Sequence, residues 1–482
     1  MKSIFLFIEN RERERPCRSV KARPRPWKTG FLNILNPLIR IVKEDGRLAD
    51  AGQSPFPLFL SSEKTYNFLM PFNKKLILAV PYTHALSHIS RPLSVAKELR
   101  ERGHEVVFAG ESPKTEFIKA EGFQVLPIHE PDPRVLFGNI RDNRLRFADD
   151  EEIERMVEAD IALYRDVKPD IVLTDGRFSA FISAQMAGIK HAAIVNVSST
   201  EYRALPYVPF FEWAPRRLAP ADGRFRKALD RINLAVEMSV FDNVMGVFKR
   251  LSKRCGLKNA VTATNCLTGN DLTLLADVPA YFPARDLPRN YHYVGPLTWK
   301  AGLPPPSWWP PQKDGGPLIY VTMGTTGVSD FFHVACSLFR ASGFKAILTT
   351  GGQAVSREPA DGGLYLEPYM DGDLAMAECD LAVCHGGNGT VYQALAHGKP
   401  VIGIPTIPDQ LYNIRRAEAL GIGVMLSWKD FSANPSKLLD VIRSVLRDRT
   451  FYVNASRFMA ILGARNAPVE AADIICSHLG VQ

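Results

Sequence analysis

From Lys75 onward, short apolar runs alternate with segments whose apolar residues recur at helical spacing. KLILAVP (75–81) reads as the first strand, Ser90 to Arg102 as a helix and EVVFAG (105–110) as the second strand. DIVLT (170–174) and HAAIVNV (191–197) follow, separated by a helix that begins near Arg177. Unbroken apolar runs of this length, bounded by polar residues and joined by amphipathic helices, predict parallel strands covered on both faces. The alternation restarts with PLIYVTMGT (317–325) and continues through KAILTT (345–350), DLAVCHGG (380–387) and KPVIGIP (399–405) to a helical tail after Asn434.

Between the two series, TWKAGLPPPSWWPPQKDGGP (298–317) shifts abruptly to proline, glycine and tryptophan, the composition of a stiff linker. The expected organisation is α/β: an N-terminal domain over 70–297, a linker over 298–317 and a C-terminal domain over 318–482, whose last helix is a candidate to pack back on the first domain. Two doubly wound, Rossmann-like sheets create an interdomain cleft, and open parallel sheets bind ligands beyond the carboxyl ends of their strands. Residues 200–265 are less regular and read as insertions around a pocket, with aromatic residues from Tyr202 to Trp213 that suit an apolar acceptor or plain core.

Charge alters this picture only at one end. The chain of 482 residues has a net charge of +8, but residues 1–69 hold 13 Lys+Arg against 7 Asp+Glu, leaving 46 against 44 for the rest. The surplus sits in RERERPCRSVKARPRP, a charge run broken by prolines. Residues 1–69 therefore read as a disordered extension; a basic arm for membrane or RNA, or a true start at Met70, are the alternatives. The nearly neutral remainder excludes nucleic acid as an expected partner. Seven scattered cysteines with no CxxC pair suggest neither a disulfide framework nor a zinc site. With no run of about 18 apolar residues, the expected location is the cytoplasm, with peripheral membrane contact left open.

The most informative segment is LAVCHGGNGTVYQALAHGKPVIGIPTIPDQLYNIRRAEALGIGVML, Leu381 to Leu426. A strand runs into a glycine turn and then a helix whose first turn carries Gly387, Asn388, Gly389 and Thr390. Free N–H groups at a helix start favour a phosphate, and His385 can add a charge-assisted hydrogen bond; simple strand-to-helix packing is the competing explanation. HGGNGT, the GKPVIGIP strand, and Asp409-Gln410 followed by Asn413 together resemble the nucleotide-sugar signature of the family 1 glycosyltransferases, which include UDP-glucuronosyltransferases and bacterial antibiotic and macrolide enzymes. The resemblance implies a GT-B fold, a UDP- or TDP-sugar donor held by the C-terminal domain, and a small-molecule acceptor held by the N-terminal domain. It implies that His385 and Gly387 to Thr390 contact the diphosphate, that Asp409 and Gln410 bind sugar hydroxyls, and that Gly324, Thr325 and Thr326 form a second turn near the donor. The chain departs from the pattern at Asp371-Gly372, where many relatives have Pro-Gln, and at Gln393, where many have a ribose-binding glutamate; a neutral Gln393 can still hydrogen-bond ribose.

The loop after the first strand, PYTHALSHISRPLSVAKELRERGHEV, resembles the family's opening loop, with His88 lying 16 residues before His104. An acceptor hydroxyl must lose its proton as the glycosidic bond forms, and imidazole suits that task near neutral pH. His88 is the expected general base, His84 the competitor, and His104 a structural residue in a turn. Asp175 holds the place of the family's partner aspartate and would orient the ring; the alternative is an N-cap for the following helix. The reading is an inverting transferase that uses no metal or other cofactor. Asp371-Gly372-Asp373 spells a D-x-D string, which capping explains as well as a metal. A nucleotide-sugar epimerase and a catalytically silent binding subunit are the alternatives.

Overall fold

The chain is described by a computed structural model over residues 73–142, 144–209, 223–299, 302–312, 314–324, 328, 330–353 and 363–481. The expectations for residues 1–69, for Thr325 and Thr326, and for the end of the Tyr202–Trp213 segment lie outside the described residues. Among the described residues, no helix is long and apolar enough to cross a membrane.

Two all-parallel sheets carry the structure. The first contains β1 (Leu76–Pro81), β2 (Glu105–Ala109), β3 (Gln124–Leu126), β4 (Ile171–Asp175), β5 (Lys190–Val195), β6 (Leu272–Leu275) and β7 (Tyr291–Tyr293), in the order β3-β2-β1-β4-β5-β6-β7. The second contains β8 (Leu318–Thr322), β9 (Lys345–Thr349), β10 (Leu364–Glu367), β11 (Leu381–Cys384), β12 (Val401–Gly403) and β13 (Gly423–Met425), in the order β10-β9-β8-β11-β12-β13. Every residue of β4, β8 and β11 is buried, which is why these segments read as continuous apolar runs rather than alternating ones. In each sheet the chain starts in the middle, runs to one edge and returns to the other side. The switch points, between β1 and β4 and between β8 and β11, therefore open at the carboxyl ends.

The first helix, Leu86–Glu101, starts four residues before the expected Ser90, which puts His88 in its first turn. The helix after β4 begins at Ala180 with Ser179 in the N-cap position, so Asp175 caps nothing. The region expected to be irregular contains a 21-residue helix, Arg224–Val244. Its apolar residues form no single inward stripe: Leu234 is its buried side chain, whereas Ile232 and Val236 are exposed, so the usual periodic signal is missing.

An apolar cluster joins the two sheets. Val195, Leu275, Tyr281 and Phe282 pack with Tyr320, Tyr392 and Tyr412, and the Phe282 and Tyr412 rings stack at 5.2 Å. The linker is pinned at both ends: Trp299 Nε1 donates to Glu121 at 2.7 Å, and Trp308 stacks on Tyr365 at 4.5 Å. The last helix, Ala467–Leu479, buries Ala471, Ala472 and Ile475 against Leu93 and Leu272 of the first domain. Asp473 pairs there with Arg102 at 2.7 Å, and His104 is buried beside Cys476 at 3.4 Å.

Within the first sheet, His191 is 1% exposed, its Nε2 lies 2.8 Å from Thr174 Oγ1, and burial pulls its pKa down to about 3. A histidine neutral in the fold but protonated when unfolded stabilises the protein fully above about pH 6.5 and progressively less as pH falls toward 3. The expected contribution is a slope of up to about 1.4 kcal/mol per pH unit in that window. Denaturant unfolding at pH 7, 6 and 5 should show a shallower acid slope in His191→Asn than in the parent; identical slopes would assign the acid sensitivity elsewhere.

Candidate functional site

The site on the first domain is built at the switch point. Pro81 at the end of β1 pairs in register with Asp175 at the end of β4, and Tyr82 N–H donates to the Asp175 carbonyl at 2.8 Å. The chain then turns into the helix that carries His88. Its Nδ1 lies 2.6 Å from Asp175 Oδ1, and its ring rests on Gly176, where a Cβ would come within 3.0 Å of Nδ1. Gly176 also has a φ of +75°, a conformation that side-chain-bearing residues rarely adopt. The Asp175 side chain is 1% exposed and that of His88 31%. Arg91 Nη2 lies 3.1 Å from the same nitrogen; a proton on Nδ1, donated to the buried carboxylate, would leave Nε2 as the lone-pair nitrogen.

Sequence reasoning missed the third member of this group. Arg91, three residues beyond His88 on the same helix face, donates through Nε to Asp175 Oδ2 at 2.7 Å and through Nη1 to Asn196 Oδ1 at 2.7 Å. The i, i+3 spacing was visible, but nothing in it distinguished Arg91 from a solvated charge. His84 lacks such support. Its ring lies 5.4 Å from the Tyr82 ring, burial lowers its pKa, and among the described residues no hydrogen bond reaches its imidazole.

The second half lies at the carboxyl end of β11. His385, Gly386 and Gly387 turn the chain into the helix Asn388–Ala396, whose N-cap Gly387 offers no side-chain cap. The first N–H groups of that helix are thus left for a ligand or water. Glycines permit the turn for steric reasons. A Cβ on Gly324 or Gly387 would fall 2.7 or 2.6 Å from the His385 ring, and one on Gly386 would fall 2.6 Å from Ile414 Cγ1. Asn413 Nδ2 donates to the Gly386 carbonyl at 3.0 Å, tying the helix Pro408–Ala419 to the turn. Gly389 and Thr390 keep contact with solvent.

Burial pulls the His385 pKa down to about 4, so the ring is neutral at pH 7. A neutral ring can still donate its N–H to a phosphate, a bond made charge-assisted by the anion alone. Among the described residues, His385 Nδ1, Asn388 Oδ1 and Gln410 Nε2 are buried without hydrogen-bond partners. Each such group costs roughly 1–3 kcal/mol unless something satisfies it. Gln410 is held in place by its other end, where Oε1 accepts from Thr406 N–H at 2.9 Å and Thr406 Oγ1 at 3.0 Å.

Asp409 brings the halves together. Burial and then the Asp277 charge push its carboxyl pKa up, while Arg91 and His88 from the first domain pull it down. Gln393 Nε2 donates to Asp373 Oδ1 at 3.2 Å. Asp371 is the N-cap of the helix Gly372–Glu378 and accepts from Asp373 N–H at 2.9 Å, so capping occupies the first aspartate of the D-x-D string and Gln393 the second.

Comparison with known proteins adds relatives to this geometry. Residues 318–468 match the glycosyltransferase family 28 C-terminal domain. The PGL/p-HBAD biosynthesis rhamnosyltransferase of Mycobacterium bovis (strain BCG / Pasteur 1173P2) is 31% identical over 357 residues, covering 73% of this chain and 77% of the relative. Among solved structures, the calicheamicin glycosyltransferase CalG4 aligns with a TM-score of 0.60 at 18% identity, covering 85% of this chain and 99% of that one. The spinosyn rhamnosyltransferase SpnG complexed with thymidine diphosphate aligns with a TM-score of 0.58 at 18% identity, covering 83% and 99%.

If the turn at His385 is an anion site, Gly387→Ala should displace the imidazole and weaken pyrophosphate binding about tenfold or more, the loss of at least one charge-assisted hydrogen bond. Gly138→Ala, where a Cβ would meet nothing within 4 Å, is the control. Calorimetric titration giving equal affinities for the two variants would remove the site.

Proposed function

The chain belongs to the GT-B glycosyltransferases of the type that includes the mycobacterial PGL/p-HBAD enzymes and the bacterial antibiotic and macrolide enzymes, and on that premise we propose an inverting transfer from a UDP- or TDP-sugar to a hydroxyl of a small apolar acceptor. The observation that carries this reading is the 2.6 Å contact between His88 Nδ1 and the buried Asp175 carboxylate, on the side of the cleft that Asp409 faces.

In this reading His88 Nε2 takes the acceptor proton as the hydroxyl oxygen bonds to the anomeric carbon. The carbon–oxygen bond to the diphosphate breaks on the opposite face, and the electron pair leaves with the diphosphate. Asp175 stabilises the imidazolium and holds its ring in the productive tautomer. The negative charge on the leaving group is received by the N–H groups at the start of Asn388–Ala396 and by His385, an electrostatic role that calls on no metal cofactor. Asp409 and Gln410 take the sugar hydroxyls, and the unpartnered Gln410 Nε2 supports that assignment. Inversion converts an α-linked donor into a β-glycoside.

The thymidine diphosphate bound by SpnG supports TDP among the candidate donors, and the rhamnosyl transfer named for the mycobacterial relative supports a rhamnose donor among the sugars to be tried. A separate SpnG structure complexed with spinosyn aglycone supports a small-molecule acceptor. Among the described residues no disulfide links the cysteines, in keeping with the cytoplasm expected from the sequence.

Mass spectrometry after incubation with UDP- and TDP-sugars and a panel of apolar alcohols and phenols should find a sugar-bearing product. His88→Ala should lower kcat by about 100- to 10,000-fold with little change in donor affinity, and Asp175→Asn should do the same less severely. Turnover within a few-fold of the parent in His88→Ala, with loss in His84→Ala, would move the base to the other histidine.

A further inference from the structure

Asp277 lies just beyond β6, on the first domain, and has no exposed surface. No step of the proposed reaction uses it. Burial raises its pKa, and a carboxylate in such a place is costly unless donors surround it. Its donors come from both domains. Oδ2 accepts from Val197 N–H at 2.6 Å, within the first domain. Oδ1 accepts from Asn388 Nδ2 at 3.1 Å and from the Tyr392 hydroxyl at 3.0 Å. Asn388 and Tyr392 are one turn apart on the helix that begins at the anion turn, so the carboxylate grips the same face of that helix twice. Val278 N–H adds a bond to the Tyr392 hydroxyl at 3.2 Å.

The contacts continue on the other side. Asn196 Nδ2 donates to the Ala276 carbonyl at 3.4 Å, and Asn196 Oδ1 accepts from Arg91, which in turn binds Asp175 beside His88. A run of polar contacts and adjacent backbone thus leads from the proposed base to the first residue of the proposed diphosphate helix. The apolar cluster between the domains supplies adhesion, but dispersion and apolar burial have little directional preference. Hydrogen bonds to a buried charge are short and directional, and they fix register.

We propose that Asp277 is a positioning residue that sets the helix Asn388–Ala396 against the first domain, and so sets the distance between the reacting carbon of the donor and His88. The proposal rests on the reading of His88 as base and of the helix start as diphosphate site. Asp277 has no exposed surface with which to touch either substrate. An Asn in its place can accept only at one end and turns an N–H group toward a donor at the other.

The test uses the full chain, with TDP or UDP as the binding probe and the product assay for turnover. Asp277→Asn should lower kcat by about 10- to 100-fold, the effect of an ångström-scale misplacement, while the nucleotide dissociation constant stays within about threefold of the parent. Tyr392→Phe, which removes one of the donors and keeps the packing, should lower kcat severalfold in the same pattern. Combined, the two should lose less than the product of the single losses, because they act on one contact. Unchanged kcat in both variants, with only a lower melting temperature, would make Asp277 a purely structural residue. Affinity falling in step with kcat would place its effect in the nucleotide site rather than between the domains. His88→Ala measured alongside separates the claims: full activity there removes the base, whereas full kcat in Asp277→Asn removes the positioning role with the base intact.

Discussion

Asp175 is a charge held almost entirely out of water at the end of a central strand, and the active side of the first domain is organised around satisfying it. Arg91 donates to both carboxylate oxygens and shares Oδ1 with His88, and neither could be removed without leaving the other to answer for a buried carboxylate. The requirement dictates where the helix Leu86–Glu101 starts, because both partners must project from its first two turns. It also dictates Gly176, since a side chain there would occupy the space of the His88 ring. The imidazole is thereby fixed by a need of the fold before any substrate arrives.

The C-terminal half follows the opposite logic. Around Asp175 both carboxylate oxygens have donors, whereas around the turn at His385 three buried polar atoms have no partner among the described residues. A protein bears such a deficit where a ligand relieves it. The glycines at 324, 386 and 387 serve the same end from the steric side, bringing backbone and imidazole close enough that the cavity left can be filled by something anionic. One domain thus presents an imidazole already held in place, and the other an unsatisfied cradle. Asp409, influenced by charges from both, marks where they meet.

Much of this was legible in the sequence because it depends on short-range rules. Continuous apolar runs marked the buried parallel strands, and HGGNGT marked a turn that only small residues can make before a helix start. Asp371 was legible as a cap for the same reason, since it needs only its neighbour Asp373. The long helix Arg224–Val244 was not legible, because with Leu234 as its buried residue it lacks the periodic stripe that announces a helix.

The sequence by itself determined two α/β units and a glycine turn fit for an anion, which follow from local chain geometry and from a contiguous motif. His88 and Asp175, 87 residues apart, were paired by the family resemblance, and the fold brings them into contact. Only the tertiary structure decided what Arg91, Asn196 and Asp277 do. Arg91 and Asp175 are 84 residues apart, and Asp277 and Tyr392 115, so their contacts exist only once two sheets have packed against each other. The same packing decided that His385 is neutral, because its pKa depends on water being excluded by residues distant in the chain. Local rules select the groups; burial selects their charge and their partners.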